Sequence, residues 1–144
     1  MSLTELENKI AIKEVIDRFA NLEIDVSAQA KLFTPDLHIT IYNGDQKMME
    51  INGRDEMQQK FEAAMAGALS SYHMNGQQVV ELKSDTEAVD THYCQASIMN
   101  EEDGQKVLNI SYIRYVDQLV KQDNQWLISD REQHIIFSEK RNLE

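Results

Sequence analysis

The stretch "QKVLNISYIRYVDQLVKQDNQWLISDREQHIIFS", residues 105–138, decides the fold class. It predicts two long β-strands, at 105–121 and 125–138, joined by the polar turn sequence KQDN. Globular proteins usually have strands of about 5–6 residues, so these two are long. Long strands joined by short turns form an antiparallel sheet that must twist and curl. The stretch therefore predicts a strongly curved antiparallel sheet.

The residues upstream extend this sheet. Strands are predicted at 73–83 and 86–100, with KSDT and EEDG as the polar turn sequences after them. In "LHITIY", residues 37–42, apolar and polar residues alternate as in a half-buried strand. An Asn-Gly-Asp turn follows and leads to a short returning strand at 47–51. The sheet is thus expected to have about six strands.

The remaining segments have a helical period, which predicts helices over 4–22, 26–33 and 54–68. Thr4 and Glu7 have capping-box spacing at the start of the first helix. Asp25 or Ser27 is the expected N-cap of the second helix, and Pro35 is expected to end it. Helices first and a curved sheet afterwards predict an α+β fold, with the helices covering one face of the sheet. We expect residues 1–144 to form a single domain.

Composition excludes several classes of partner. The 14 basic and 25 acidic side chains give a formal net charge of −11, which disfavours nucleic acid and anionic membrane surfaces. No apolar run approaches the ~20 residues of a membrane-spanning helix. The acidic N-terminus does not resemble a signal peptide, and the single cysteine, Cys94, cannot form an internal disulfide. These features predict a cytoplasmic protein.

Several local sequences occur in an order that resembles a known family. They are "LFTPD" at 32–36, "GRDEM" at 53–57, His73 at the start of the next strand, "SDTEAV" at 84–89 and "YVDQLVKQDNQWLISDR" at 115–131. In this order they resemble the SnoaL-like group of the nuclear-transport-factor-2-like superfamily. The resemblance implies a cone-shaped barrel of three N-terminal helices and a curved sheet around a mostly apolar pocket. It also implies a homodimer that forms through the outer face of the sheet.

The resemblance suggests candidate catalytic residues. His73 matches the position of a pocket histidine in SnoaL-like dehydratases and cyclases, and an unperturbed histidine can exchange a proton near neutral pH. Alternatively, His73 caps the third helix or is a core histidine bonded to a carbonyl. Glu23 is the nearest candidate for the pocket acid, although Ile24 is another occupant of that place. Asp25 aligns with a cap-forming aspartate, so it is either an N-cap or a partner that orients His73.

Four further residues are candidate ligand contacts: Tyr42, His92, Tyr112 and Arg114. A dehydratase of this family would have a second histidine near Ile98, and His92 lies an even number of strand residues away. The alternatives are a solvent or subunit contact for His92, packing roles for the tyrosines and an ion pair at a subunit contact for Arg114.

The expected function is that of a small-molecule pocket protein. It would be a cofactor-free isomerase, cyclase or dehydratase that acts by acid–base catalysis on an apolar carbonyl or polyketide-like compound. The four histidines, at 38, 73, 92 and 134, form no metal-binding motif, so no metal is expected. No GxSxG, P-loop or dinucleotide-binding glycine pattern occurs either. The alternative is a non-catalytic ligand-binding or dimerisation module with an incomplete site.

Overall fold

A computed structural model describes residues 1–144 as three helices and six strands. The elements are α1 (Leu3–Leu22), α2 (Val26–Ala30), β1 (Phe33–Asn43), β2 (Gln46–Asn52), α3 (Arg54–Met65), β3 (Ser70–Leu82), β4 (Glu87–Glu102), β5 (Gln105–Gln122) and β6 (Gln125–Asn142). The strands form one sheet in the order β2-β1-β6-β5-β4-β3. Only the β1–β6 pair is parallel. The predicted α+β fold, with helices on a curved and mostly antiparallel sheet, is confirmed.

Two tight turns hold the long strands in register. Asp103 and Gly104 connect β4 to β5, and Asp123 and Asn124 connect β5 to β6, all four with positive φ. Aspartate, asparagine and glycine tolerate this conformation, and its twist matches that of the flanking strands. The β4–β5 ladder therefore runs without interruption from Glu87 opposite Val120 to Glu102 opposite Gln105.

The helices cover the inner face of the sheet and leave the outer face bare. The main core cluster combines α1 residues with residues of the sheet, among them Ile12, Ile16, Phe19, Phe33, Leu37, Ile39, Leu119 and Ile128. On the outer face, Tyr72, Met74, Val79 and Phe137 are each at least half exposed. Among the helices, none has the length and apolar character needed to span a bilayer.

One predicted helix cap and two predicted helix ends were wrong, and the third helix ends at Met65 rather than at residue 68. The capping box of α1 is formed by Ser2 and Glu5 rather than by Thr4 and Glu7, since Ser2 accepts from the Glu5 N–H and Glu5 accepts from the Ser2 N–H. The second helix ends at Ala30, well before Pro35, so the proline does not terminate it. Pro35 lies within β1, between Phe33 and His38, where the pairing with β6 is interrupted and no backbone donor is needed.

Asp25 is the N-cap of α2. Its Oδ1 accepts the Ala28 N–H at 3.2 Å and the Ser27 hydroxyl at 3.0 Å, and the residue is exposed. We expect Asp25→Ala to lower the free energy of unfolding by about 1 kcal/mol, because a backbone donor of the first turn loses its partner. Urea titration measures the loss. An equal loss in Asp25→Asn, which keeps an acceptor oxygen, would contradict the capping role.

Candidate functional site

A cavity of about 230 Å³ lies on the inner face, between the C-terminal end of α1, helix α3 and the sheet. Nine of its fourteen lining residues are hydrophobic. The lining residues are Phe19, Glu23, Gln29, Ile41, Phe61, Ala64, Met65, His73, Ala96, Ile98, Ser111, Ile113, Tyr115 and Gln133. The cavity thus combines apolar walls with few polar groups, which is the usual character of a small-molecule site.

His73 lies in this cavity because β3 pairs it with Ala96, and side chains of directly paired residues point to the same face. Its Nδ1 is 2.9 Å from the Ser71 hydroxyl. Burial lowers the pKa of His73 below its usual 6.5, and the nearby Glu23 carboxylate opposes that shift. The imidazole is therefore neutral at neutral pH and can accept a proton.

Glu23 reaches the cavity from a rare backbone conformation. It follows the last residue of α1 with φ of 51° and ψ of −101°. The buried Gln29 side chain fixes this helix end, because its Nε2 donates to the carbonyls of Phe19 and Glu23, each at 3.0 Å. A non-glycine residue held at positive φ is uncommon and often marks a functional position.

The two residues that follow Glu23 in the sequence do not line the cavity. Ile24 is 46% exposed and Asp25 is an exposed cap, and neither lines the cavity. The structure therefore brings together His73 and Glu23 but not Asp25. Glu23 and His73 interact through charge and form no hydrogen bond with each other.

Tyr115 lines the cavity, although Tyr42 and Tyr112 were the tyrosines selected from the sequence as ligand contacts. Its ring lies between the imidazole of His92, with ring centroids 4.9 Å apart, and the guanidinium of Arg131, 4.3 Å from the ring centroid. Burial raises the pKa of Tyr115, so the phenol stays protonated. The "YIRY" sequence, residues 112–115, offers an aromatic residue to each face of β5, so alternation alone could not identify Tyr115.

Three of the predicted ligand contacts lie on the outer face instead. Tyr42 stacks on His134 at 4.7 Å, and Tyr112 packs on Phe137 at 4.6 Å. Arg114, which precedes Tyr115 in β5, is paired with Tyr93 of β4. Because their strand neighbours Ile41, Ile113 and Tyr115 line the cavity, these three side chains point away from it. These three residues therefore do not line the cavity.

The place expected for a second histidine is apolar. Ile98 lines the cavity, whereas His92 shares its face but lies farther along β4, outside the cavity lining. A histidine pair across the cavity is therefore absent from this chain.

Two buried pairs, each with an aspartate carboxylate, lie behind the cavity wall. Arg131 donates from Nε and Nη2 to the two oxygens of Asp117, both at 2.8 Å, and all of these groups are fully buried. Burial disfavours the Arg131 charge, but the Asp117 carboxylate outweighs this effect and raises the pKa of Arg131. In the second pair, Asp90 Oδ1 lies 2.6 Å from His92 Nδ1. The sequence gives one sign of these pairs: polar residues occupy positions in β4, β5 and β6 where the alternating pattern of the strand predicts an apolar, buried side chain.

Asp90, His92 and Asp117 have ligand atoms within 4.8 Å of one another, the separation that a metal ion requires. However, both Asp117 oxygens accept from Arg131, and Asp90 accepts from Gln78 and lies beside His92. A cation here would displace these partners next to a guanidinium, so the donor set fits a metal poorly.

A family model described as a SnoaL-like domain matches residues 4–132. The chain belongs to the SnoaL-like family. The curated protein sequences contain no match to this SnoaL-like chain. Solved structures similar to it include a protein of Novosphingobium aromaticivorans DSM 12444 provisionally described as a scytalone dehydratase. That structure has a TM-score of 0.85 and 22% identity, and the match covers 100% of this chain and 94% of the other.

Two further structures are similar to the SnoaL-like chain. The hexachlorocyclohexane dehydrochlorinase LinA-type3 of Novosphingobium barchaimii LL02 has a TM-score of 0.77 and 13% identity over 96% of this chain and 93% of its own. The Kfla4162 protein of Kribbella flavida has a TM-score of 0.79 and 16% identity, with 94% and 95% covered. At these identities the likeness establishes the fold, a curved α+β cone.

Proposed function

We propose that residues 1–144 act as one cytoplasmic SnoaL-like domain that binds a small apolar carbonyl or polyketide-like compound and isomerises, cyclises or dehydrates it without a cofactor. The observation that carries the proposal is a half-buried histidine, His73, with a lowered pKa inside an apolar cavity that a carboxylate, Glu23, also reaches. Perturbed titratable groups in a concave apolar site are typical of acid–base catalysts. Similar structures described as a dehydratase and a dehydrochlorinase support a lyase or isomerase reaction.

His73 would act as the general base. If its Nδ1–H donates to the Ser71 hydroxyl, Nε2 carries the free lone pair and can remove a proton from carbon next to the carbonyl. Isomerisation returns this proton from the imidazolium to another carbon. In dehydration the C–O bond of a hydroxyl on the next carbon breaks, and the hydroxyl takes the proton from the imidazolium and leaves as water. The Glu23 carboxylate stabilises the imidazolium that forms, because its charge favours the protonated ring.

Tyr115 would supply the hydrogen bond to the substrate carbonyl. Its phenol lines the cavity and its raised pKa keeps the proton on oxygen. The ring of His92 and the guanidinium of Arg131 restrict its movement. A fixed donor aimed at the oxygen where negative charge develops lowers the barrier to proton removal.

A second candidate is a non-catalytic binding protein. The observation that favours it is the absence of a hydrogen bond between Glu23 and His73, since a base oriented by a bonded carboxylate is the more usual catalytic arrangement. Both candidates require a small apolar ligand in the same cavity.

Blocking the cavity tests both candidates. Ala63 and Ala64 are adjacent exposed residues of α3, but only Ala64 lines the cavity. We expect aromatic ketones that raise the melting temperature of the wild type to have no effect on Ala64→Trp, because the indole fills the entrance. Ala63→Trp should respond like the wild type. An undiminished thermal shift in Ala64→Trp would contradict binding in this cavity.

We also propose that the domain is a homodimer that forms through the outer face of the sheet. Tyr72, Met74, Val79 and Phe137 form an exposed apolar patch there, which no helix covers. Patches of this kind usually mark an interface. Light scattering should therefore give about twice the chain mass of 16.6 kDa at micromolar concentration. Phe137→Glu should shift the mass towards the monomer, and a monomeric wild type would refute the proposal.

A further inference from the structure

A second concavity lies against the middle of α1 and has a different chemistry. This α1 cleft has a volume of about 320 Å³ and is lined by Lys13, Ile16, Asp17, Asn75, Gly76, Gln78 and His92. Only Ile16 among them is hydrophobic, and no residue is shared with the cavity. The stacked rings of His92 and Tyr115 separate the two, because His92 lines the α1 cleft and Tyr115 lines the cavity.

A bulge in β3 shapes the α1 cleft. The pairing of β3 with β4 shifts register between Asn75 and Gln78, so the residues between them, Gly76 and Gln77, are unpaired. The bulge places Asn75 and Gln78 on the same inner face, where both line the cleft. Such irregularities often occur beside functional sites because they redirect a side chain.

Each of these two amides donates a hydrogen bond to a carboxylate. Asn75 Nδ2 donates to Asp17 Oδ1 at 3.2 Å, and Gln78 Nε2 donates to Asp90 Oδ2 at 2.5 Å. Both amide groups are therefore oriented by a carboxylate, and each carbonyl oxygen retains its capacity to accept a hydrogen bond from a ligand.

His92 adds a third acceptor. The residue is only 2% exposed, and its Nδ1 is bonded to the fully buried Asp90. Since a carboxylate accepts, the hydrogen lies on Nδ1, and a neutral ring then presents the Nε2 lone pair. Nε2 forms no hydrogen bond within the chain, and it belongs to the residue that lines the cleft. The carboxylate behind the ring makes this nitrogen a stronger acceptor.

We propose that the α1 cleft is a second binding site, distinct from the cavity, for a small neutral polyhydroxylated compound such as a monosaccharide. Its hydroxyl hydrogens would be accepted by His92 Nε2 and by the amide oxygens of Asn75 and Gln78. The Lys13 ammonium at the rim, which binds Asp17 at 2.5 Å, still has hydrogens that it can donate to hydroxyl oxygens. A hydroxyl group both donates and accepts, so it matches this mixed set.

Charged ligands fit the α1 cleft less well. An anion would meet the carboxylate of Asp17 and three acceptor atoms, while the one cationic side chain of the lining, Lys13, is already paired. An organic cation would find no free counter-charge, because the one carboxylate of the lining, Asp17, is already bonded to Lys13 and Asn75. A neutral hydroxylated ligand faces neither penalty.

Long-range 1H–15N NMR of the imidazole nitrogens tests the proposal with glucose and myo-inositol as probes. We expect a saturable shift of the His92 Nε2 signal, with a dissociation constant in the millimolar range that is usual for ligands of this size. Phosphate and ethanolamine are the charged comparisons and should leave the signal unchanged.

Adjacent glutamines provide matched variants. Gln78→Leu removes an acceptor and should weaken polyol binding about tenfold, whereas Gln77→Leu, which is exposed and outside the lining, should bind like the wild type. Asn75→Leu serves if Gln78→Leu does not fold, because it leaves the Asp90 contacts intact. No shift with either polyol, a stronger response to phosphate or ethanolamine, or equal affinity in the leucine variants of Gln78 and Gln77 would overturn the proposal.

Discussion

Replacing His73 with alanine is expected to reduce turnover of a carbonyl substrate by a factor of about 10²–10⁴, the usual contribution of a general base. The physical reason is that His73 is the only histidine that lines the cavity, and Glu23 is the only carboxylate. Thermal stability should change little, because the side chain is half-buried and its one hydrogen bond is to Ser71. The measurement is kcat/KM with a ketone that binds the cavity.

The pH dependence separates a base from a residue that only shapes the cavity. Because the pKa of His73 is lowered, the ring stays neutral from alkaline pH to below pH 6.5 and becomes protonated only in acid. We therefore expect kcat/KM to be flat near neutral pH and to fall on the acid side of pH 6.5. The same sign holds for stability: the unfolded chain takes up this proton first, so folding weakens as the pH falls below 6.5.

Glu23→Gln provides the matched control, because it keeps the shape of the side chain and removes its charge. The carboxylate raises the pKa of His73, so the variant should move the acid limb to still lower pH. An NMR titration of His73 measures this shift without a substrate. An unchanged His73 titration in Glu23→Gln, or full activity in His73→Ala, would contradict the proposed roles and favour a binding protein.

The fold could be predicted because long-range order follows from local patterns here. The two-residue turns at 103–104 and 123–124 fix the pairing of β4, β5 and β6, so the predicted strands lead directly to the observed sheet. His73 could be placed near the core because it begins a strand, β3, that has apolar residues on both faces.

The face on which a side chain lies was harder to predict. The alternation of side chains along a strand predicts the face of each residue only when the register is known, because a shift of one residue reverses every assignment. Bulges in β3 and β6 introduce such shifts. Tyr112 and Arg114 were selected as ligand contacts, whereas their neighbours on the opposite face of β5, Ile113 and Tyr115, line the cavity. The positive φ of Glu23 is fixed by the tertiary contact of Gln29 with the end of α1, and no local pattern reports it.

The largest effect on stability is expected for Asp117. Replacing it with asparagine should lower the free energy of unfolding by about 3–5 kcal/mol, because the buried Arg131 guanidinium would lose its only counter-charge in direct contact. The guanidinium cannot escape by losing its proton, and it is packed between the rings of Phe19 and Tyr115, so water does not reach it easily. Urea unfolding at neutral pH measures the change.

Asp130→Asn is the matched control. Asp130 lies next to Arg131 on the same strand and contacts His38 at 3.1 Å, but both partners are about one-third exposed. Solvent screens such a pair, so its loss should cost less than about 1 kcal/mol. A similar cost for Asp117→Asn and Asp130→Asn would show that burial does not strengthen the Asp117–Arg131 pair.

The double variant Asp117→Leu with Arg131→Met separates the cost of an unpaired charge from the value of the pair. Removing both charges leaves neither member of this pair as an unpaired buried ion, so we expect the double variant to recover most of the stability that Asp117→Asn loses. Its cavity should nevertheless change, because the Arg131 guanidinium that holds the Tyr115 ring would be missing. A stable double variant with weakened ketone binding would therefore mean that this pair is retained to position the cavity phenol rather than to stabilise the fold.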